Sequence, residues 1–496
     1  MHSDSFFLRY LFAFHCRTRI FMAFITLNHS LRGGTKGQEK YIVDPASQEL
    51  LTISDVVLDV LNAIHSLGKV DEIVARISGE YGLDSGEAEI VVWDALHQLM
   101  QNGLVTVSSN PLERECNVRF FESASPVKRA LLSLTHRCNF RCMHCLQGDG
   151  ATARFNELST EKWMNIIDQL SEHGLSHIFF TGGEPLLRKD ICDLIARAAD
   201  HAFPTRLYTN GLLIDETLVS HLRRFDTLIV QVSLHGRDSA TVDPFVGVDG
   251  AFDRVTESIR AMADAGIRVS VSTSFRDELM PFMEEFPPLL QKLGVSEWIP
   301  TMIMPIGCAF SSWRELRLSS PNLRMFMENL FRFMSIYKGH RGFSINSPFD
   351  VTLLQGDVSE WKGSTISFGC NLYGQYINIQ PDGSITPCDR LTKYCLGSLK
   401  DESLVDLMSR NGVMQAHRDD VRKELESIGS LTRCGDCAYG NLCGMGCPGI
   451  LFQGRRLGEK YDDPVVCRMF NECFDVVLKY STPDAQSVLL RNLKRK

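Results

Sequence analysis

The sequence predicts an α/β protein built on a parallel sheet, with a winged-helix-like unit ahead of it and a cysteine-rich region behind. Three observations point there. Strand and helix signals alternate six times between Ala130 and about Gly307. Short strand patterns, three helical patterns and a closing strand fill Phe24 to Val107. Eight of the 16 cysteines fall between Cys370 and Cys467.

Composition sets the outer bounds. At 496 residues the chain has room for two to four domains, one with a substantial core. Hydrophobic residues make up 44% and charged residues 23%, as in ordinary globular proteins. The balance of 52 basic against 60 acidic residues, with no long basic run, argues against nucleic acid as a partner. No stretch of about 20 apolar residues marks a membrane span. Phe6–Ile25 is rich in Phe but broken by Arg9, Arg17 and Arg19, which makes a poor signal peptide and suggests an over-called start with Met22 opening the protein. Without an export signal, the cysteines read as metal ligands in a reducing, cytoplasmic compartment rather than as disulfides.

In the first unit, Phe24–Leu27, Tyr41–Val43 and Leu50–Leu51 read as strands, with Asp44-Pro45-Ala46-Ser47 as a turn. Thr52 is positioned to cap a helix carrying Val57, Val60, Leu61 and Ile64. Helical patterns follow over Val70–Tyr81 and Ser85–Gln101, Gly103 stops the last one, and Leu104–Val107 forms a wing. DNA binding is the commonest use of this shape. Here the third helix carries Glu87, Glu89 and Asp94 and no Lys or Arg, so a phosphate backbone would be repelled. Peptide binding at the sheet edge fits better.

Asn110–Pro126 reads as a linker. Strands are then expected at Ala130–Leu134, His177–Phe180, Thr205–Tyr208, Thr227–Leu234, Arg268–Ser274 and Glu297–Met304. Helices such as Thr160–His173, Asp190–Ala202, Asp215–Phe225 and Ala251–Ala265 separate them. Repeated strand–helix steps give a partial barrel or an open doubly wound sheet, and in both the chemistry sits at the carboxyl ends of the strands. Ser311–Lys338 reads as helical, Cys370 to Cys473 as poor in regular elements, and Leu489–Lys496 as a basic tail.

Two motifs stand at strand ends. Cys138, Cys142 and Cys145, in Cys-Asn-Phe-Arg-Cys-Met-His-Cys, follow the first strand. Three thiolates hold three irons of a cubane cluster and leave the fourth open to a ligand, whereas an electron carrier normally closes all four positions. Thr181-Gly182-Gly183-Glu184-Pro185 follows the second strand. Two glycines let the backbone approach a ligand, and the Glu184 carboxylate can pair with an ammonium. Taken alone, this segment is an ordinary strand-to-helix turn with Pro185 at the first helical position.

Together the two motifs resemble the radical S-adenosylmethionine (SAM) superfamily over roughly Ala130 to Gly307. The resemblance implies a partial (β/α)6 TIM barrel and a [4Fe–4S] cluster on Cys138, Cys142 and Cys145, with SAM chelated at the open iron. Gly182, Gly183, Glu184 and Pro185 match the segment that holds the methionine amino group. Ser233 matches a position that often contacts the ribose, though it also reads as a capping serine. His144 falls where an aromatic residue usually lies beside the adenine. His235 reads as turn structure, with stacking or acid–base duty as the alternative. The implied chemistry is release of a 5′-deoxyadenosyl radical that abstracts hydrogen, with the cofactors carrying the hard step.

The second cysteine set runs Cys370, Cys388, then Cys434-x2-Cys437-x5-Cys443-x3-Cys447, then Cys467. Seven cysteines exceed one tetrahedral zinc site, the competing reading. They match the SPASM extension of radical SAM enzymes, which implies two auxiliary [4Fe–4S] clusters. Cys434, Cys437, Cys443 and Cys467 would close one, and Cys370, Cys388 and Cys447 would hold the other. Ser359–Gly369 contains no further cysteine. The second of these clusters therefore keeps an open iron for a substrate thiolate, or recruits Cys308 or another ligand. Asp389 matches a proposed proton acceptor of the related sulfatase-maturing enzymes, and also reads as a turn carboxylate. Of the remaining cysteines, Cys192 and Cys395 in particular are expected to be buried core thiols.

Phe24–Val107 resembles the PqqD-like peptide-recognition domain in its order of elements, with Leu50-Leu51-Thr52 before the first helix and Val70-x2-Ile73-Val74 opening the second. The expected organisation is an extension over 1–23, this domain over 24–108, a linker over 109–126 and the radical SAM core over 127–310. A helical bridge over 311–365, the SPASM domain over 366–480 and the tail over 481–496 complete it. The combination resembles peptide maturases. It implies a precursor peptide held by its leader and a low-potential electron donor of flavodoxin or ferredoxin type. The expected product is a thioether or carbon–carbon crosslink. Alternatives are a sulfatase-type or tetrapyrrole side-chain-modifying enzyme and, from another class, a non-catalytic iron–sulfur chaperone or electron relay.

Overall fold

The computed structural model describes residues 24–36, 39–44, 48, 50–108, 110, 116, 118–121, 128–147, 157–338, 340, 342–346, 376–431, 437–439, 447–450, 465–491 and 493. The expected N-terminal extension, most of the Asp44–Ser47 turn, and Cys16, Cys370, Cys434 and Cys443 lie outside them. The chain divides into two compact units. One comprises the described residues up to 121 with Ser171–His177 and Ala196–Pro204, and the other comprises the rest.

In the first unit, β1 (Phe24–Leu27) pairs antiparallel with the wing β5 (Val105–Ser108). A separate four-stranded sheet has the order β4-β3-β2-β6, formed by β2 (Leu31–Lys36), β3 (Glu39–Val43), β4 (Leu50–Ile53) and β6 (Val118–Phe121). Two of these strands were not expected. β2 carries Gly33-Gly34, which reads as a break, but a Cβ at Gly33 would lie 3.0 Å from the Phe120 ring and one at Gly34 2.9 Å from the Phe121 carbonyl. The glycines thus let β6 pair alongside β2, and β6 turns part of the expected linker into a strand.

Three helices, α1 (Asp55–Leu67), α2 (Val70–Tyr81) and α3 (Ser85–Gln101), bury Val60, Leu61, Ile73, Ile77, Val92 and Leu96 in one core. The cap of α1 is Ser54, whose hydroxyl accepts from the Val57 N–H. Thr52 is not the cap, because β4 runs on to Ile53 in register with Lys40. Asp84 and Glu87 close α3 with a capping box.

The second unit holds a ten-stranded sheet of order β13-β12-β11-β10-β9-β8-β7-β14-β15-β16. Its barrel strands are β7 (Arg129–Ser133), β8 (His177–Thr181), β9 (Thr205–Thr209), β10 (Leu228–Ser233), β11 (Arg268–Phe275) and β12 (Glu297–Met302). Short β13 (Ser344–Ile345) follows β12 in parallel. Helices α4 (Thr160–Glu172), α5 (Ile191–Asp200), α6 (Glu216–Leu222), α7 (Ser239–Val246), α8 (Ala251–Asp264) and α9 (Phe286–Lys292) connect the strands. The result is a partial (β/α)6 barrel. Alternation along the strands divides the two faces. Leu132, Phe180, Val230, Val232, Val269 and Val271 are fully buried. Their neighbours Tyr208, Gln231 and Ser233 are half-buried on the other face.

The cysteine-rich region contains more regular structure than expected. β14 (Tyr376–Ile379) pairs parallel with β7, and β15 (Ser384–Thr386) and β16 (Gly397–Ser398) continue the sheet antiparallel. Helices Leu404–Met408 and Asn411–Leu431 follow. The strands are two to four residues long, too short for periodicity to reveal them, and register with β7 supplies the order. Ser311–Lys338 is not one helix but ends in Ser320–Ile336 after the short turns Cys308–Ser311 and Trp313–Leu316.

Candidate active site and iron–sulfur ligands

The site gathers at the carboxyl ends of β7 to β11. The loop after β7 is pinned on the end of α7, where the Arg141 N–H donates to the Val246 carbonyl at 2.8 Å and the Met143 N–H to Phe245 at 3.0 Å. These bonds place Cys138, Cys142 and Cys145, all half-buried, in one turn. Burial, and then the neighbouring Cys145 and Cys138, pushes the Cys142 thiol up to about 12. Burial also raises Cys138, with Glu184 adding to the effect. Such crowded thiols resist ionisation alone and become thiolates on a cationic cluster. Among the described residues no three Cys, His, Asp or Glu side chains converge on one ion-sized point. Three thiolates carried by one loop can take three corners of a cubane cluster. Two buried polar atoms beside the thiols, Asn139 Nδ2 and His144 Nδ1, have no hydrogen-bond partner among the described residues. They fit a guest with polar atoms of its own.

The Gly182–Pro185 segment packs against the exit of β7. The Gly183 N–H donates to the Thr135 carbonyl at 2.7 Å and the Glu184 N–H to Arg137 at 2.8 Å. A Cβ at Gly182 or Gly183 would run into those same carbonyls, so the glycines permit this close seam between two backbones. Glu184 has no exposed surface. Its carboxylate accepts from Leu186 N–H at 3.0 Å, Thr209 Oγ1 at 2.8 Å and Asn210 N–H at 2.7 Å. The carboxylate is engaged by its own chain, tying β8 to β9. Burial pushes it up to about 7 despite these donors. Asn210 carries the tie onward, donating from Nδ2 to Asn139 Oδ1 at 2.6 Å, with Cys138 Sγ at 4.0 Å. Pro185 opens a single turn of 3₁₀ helix over Pro185–Leu187.

His144 stacks on Phe245, with centroids 4.6 Å apart, and meets His235 edge-on at 4.4 Å. His235 Nδ1 accepts from the Ser274 N–H at 3.1 Å, so its proton sits on Nε2. Arg276 donates to the His235 and Thr241 carbonyls and lies 4.2 Å from the Phe245 ring centroid. Burial and the Arg276 charge hold His144 down at about 4. Burial, then His144 and Arg276, keep His235 well below its ordinary range. His235 is thus a structural pin as well as part of a ring cluster. Phe245 and Arg276 escaped sequence reasoning because they come from α7 and the end of β11. Ser233 ends β10 opposite Ser272, half-buried.

The Cys308 N–H donates to the Cys145 carbonyl at 2.9 Å, and Cys308 adds to the charge felt by Cys142. It therefore lies beside the triad. Two cysteine expectations are corrected. Cys395 is exposed, because Tyr394 and Leu396 take the buried face on either side, and Cys192 is half-buried at the edge of α5's apolar stripe.

In the C-terminal region Cys388, Cys437, Cys447 and Cys467 are described. Cys388 is buried, and burial, then Asp389, pushes its thiol up to about 11. Asp389 lies 3.8 Å from Arg390 Nε, and Arg390 Nη1 donates to Cys447 Sγ at 3.8 Å. One side chain thus brings Cys388 and Cys447, 59 positions apart in the sequence, into one neighbourhood.

Comparison with known proteins agrees with this geometry. Residues 132–277 match the radical SAM superfamily, and residues 370–438 match the iron–sulfur cluster-binding SPASM domain. The chain is an enzyme that carries a radical SAM domain. Curated relatives include the AdoMet-dependent heme synthase of Nitratidesulfovibrio vulgaris, 26% identical over 66% of this chain and 89% of that protein. The PqqA peptide cyclase of Granulibacter bethesdensis is 25% identical over 59% of this chain and 76% of that one. Streptococcus suis SuiB bound to S-adenosylmethionine superposes with a TM-score of 0.58 at 14% identity, over 89% of this chain and 99% of SuiB. At that identity the superposition speaks for the fold alone. The radical SAM domain implies SAM and a [4Fe–4S] cluster, and the SPASM domain implies auxiliary iron–sulfur clusters. Among the described residues no helix is long and apolar enough to cross a membrane.

Proposed function

We propose that this enzyme modifies a ribosomally made precursor peptide, held by its leader at the N-terminal unit, and closes a thioether crosslink in it. The observation that carries this reading is the sheet of the first unit. β6 covers one edge, while β4 at the other edge pairs only with β3 among the described residues. An extended peptide can add there through main-chain hydrogen bonds. Tethering in this way raises the effective concentration of the peptide's remaining part at the barrel mouth. The PqqA peptide cyclase relative, and a SuiB structure with the precursor peptide SuiA, support a peptide substrate.

Cys138, Cys142 and Cys145 would hold the catalytic cluster. Cys370, Cys388 and Cys447 would hold one auxiliary cluster, and Cys434, Cys437, Cys443 and Cys467 the other. When bound, SAM and the clusters supply a hydrogen-abstracting radical and an acceptor for a second electron. The chain's own residues position and shield. Gly182–Pro185 and Glu184's tie to β9 shape the SAM pocket, Ser233 lies toward the ribose, and His144 on Phe245 offers a ring face toward the adenine. Asp389 accepts the proton lost as the new bond forms. A cytoplasmic setting and a flavodoxin- or ferredoxin-type donor complete the reading.

Hydrogen exchange with a candidate precursor peptide tests it. The amides of Leu50–Ile53 should gain protection when that peptide is added. Protection confined to other segments, or none, would remove the peptide-docking role. The tetrapyrrole alternative rests on the heme synthase relative, and it predicts turnover of a porphyrin in place of the peptide.

A further inference from the structure

We propose that Arg390 is a positioning residue for an auxiliary cluster, holding Cys388 and Cys447 on one centre and raising its reduction potential through a hydrogen bond to sulfur. The inference rests on the reading of these two cysteines as ligands of one cluster. Arg390 Nη1 donates to Cys447 Sγ at 3.8 Å, and the same residue stands two positions after Cys388. Its stem is fixed: a Cβ at Gly449 would lie 2.7 Å from Arg390 Cβ, so glycine there lets the side chain lie flat against the turn that follows Cys447. Its Nε has no hydrogen-bond partner among the described residues, and the Asp389 carboxylate stands 3.8 Å away.

A positive charge and an N–H aimed at a cluster sulfur withdraw electron density and favour the reduced, more negative cluster. Asp389 opposes this in part, but its contact is with Nε, on the guanidinium edge away from the sulfur donor. Held this way, the centre on Cys388 and Cys447 is the readier electron acceptor.

The test uses the full chain carrying Cys138→Ala, Cys142→Ala and Cys145→Ala, so that the iron–sulfur signals left are auxiliary. Arg390→Gln and Arg390→Lys are made in that background, reconstituted anaerobically and titrated electrochemically with EPR detection. One auxiliary cluster should titrate at lower potential in Arg390→Gln, with Arg390→Lys, which keeps a charge and donors, falling between. An unchanged potential with iron retained overturns the inference and leaves the cluster reading standing. A parent triple variant without iron removes the cluster reading and the inference together. A second measurement covers a variant that fails to assemble. Protein with native Arg390, grown on nitrogen-isotope-labelled arginine, should show hyperfine coupling of that nitrogen to a reduced auxiliary cluster, and its absence overturns the proposal.

Discussion

Glu184 illustrates how one side chain ties a site together from within. Its carboxylate is buried yet satisfied by three donors, and its folded pKa of about 7 lies above the ordinary 4.5. Between those values the native state holds a proton that the unfolded chain has released. Stability from this group is therefore complete below about pH 4.5 and is lost as pH rises through about 7, on the order of 3 kcal/mol. In Glu184→Gln the thermal midpoint should lose that decline, and an unaltered pH profile would contradict the assignment. The amide also turns a donor toward groups that are themselves donors. Folding stability at low pH should fall by about 1–3 kcal/mol in chemical denaturation, the cost of leaving a buried N–H or hydroxyl unpaired. The sequence pointed to Glu184 but not to its duty, because its partners Thr209 and Asn210 lie on another strand. The ring cluster was half legible in the same way. His144 and His235 stand in recognisable motifs, while Phe245 and Arg276 become neighbours only once the strands are arranged.

At the scale of elements, the proposal rests on the seam between the exits of β7 and β8 and on the edge of β4. A methyl at Gly183 would meet the Arg137 and His136 carbonyls, which are backbone and cannot rotate away. Gly183→Ala should displace the cysteine loop and cost the catalytic cluster, read as a loss of about 4 Fe per chain. Gly79, exposed within α2 with open space around its Cα, is the control. Gly79→Ala should keep all iron and stabilise the first unit by about 1 kcal/mol in thermal unfolding. The six barrel strands were legible to within a residue or two at most ends, since buried runs of Val, Ile and Leu alternate with helical periods. β2 and β6 were not. Gly33-Gly34 has the signature of a turn, and Val118–Phe121 gains its order only by pairing with β2. α7 escaped as well, because Pro244 lies inside it and its length is eight residues.

For the whole molecule, the account requires three clusters and a peptide in one chain. Anaerobically reconstituted protein should hold about 12 Fe, and iron near 4 with zinc present would contradict the SPASM ligand assignment. The cysteine spacing pointed to iron–sulfur clusters before any fold was known. The resemblance also put Cys388 and Cys447 on one cluster, but Arg390's contact with Cys447 was not legible, because spacing carries no distance. The central claim is that radical chemistry here is spent on a peptide. The most direct measurement is mass spectrometry of the precursor peptide after incubation with the reduced, reconstituted enzyme and SAM. The account predicts a peptide lighter by two hydrogens, with 5′-deoxyadenosine formed in step with it. Deoxyadenosine formed while the peptide mass stays unchanged would contradict it.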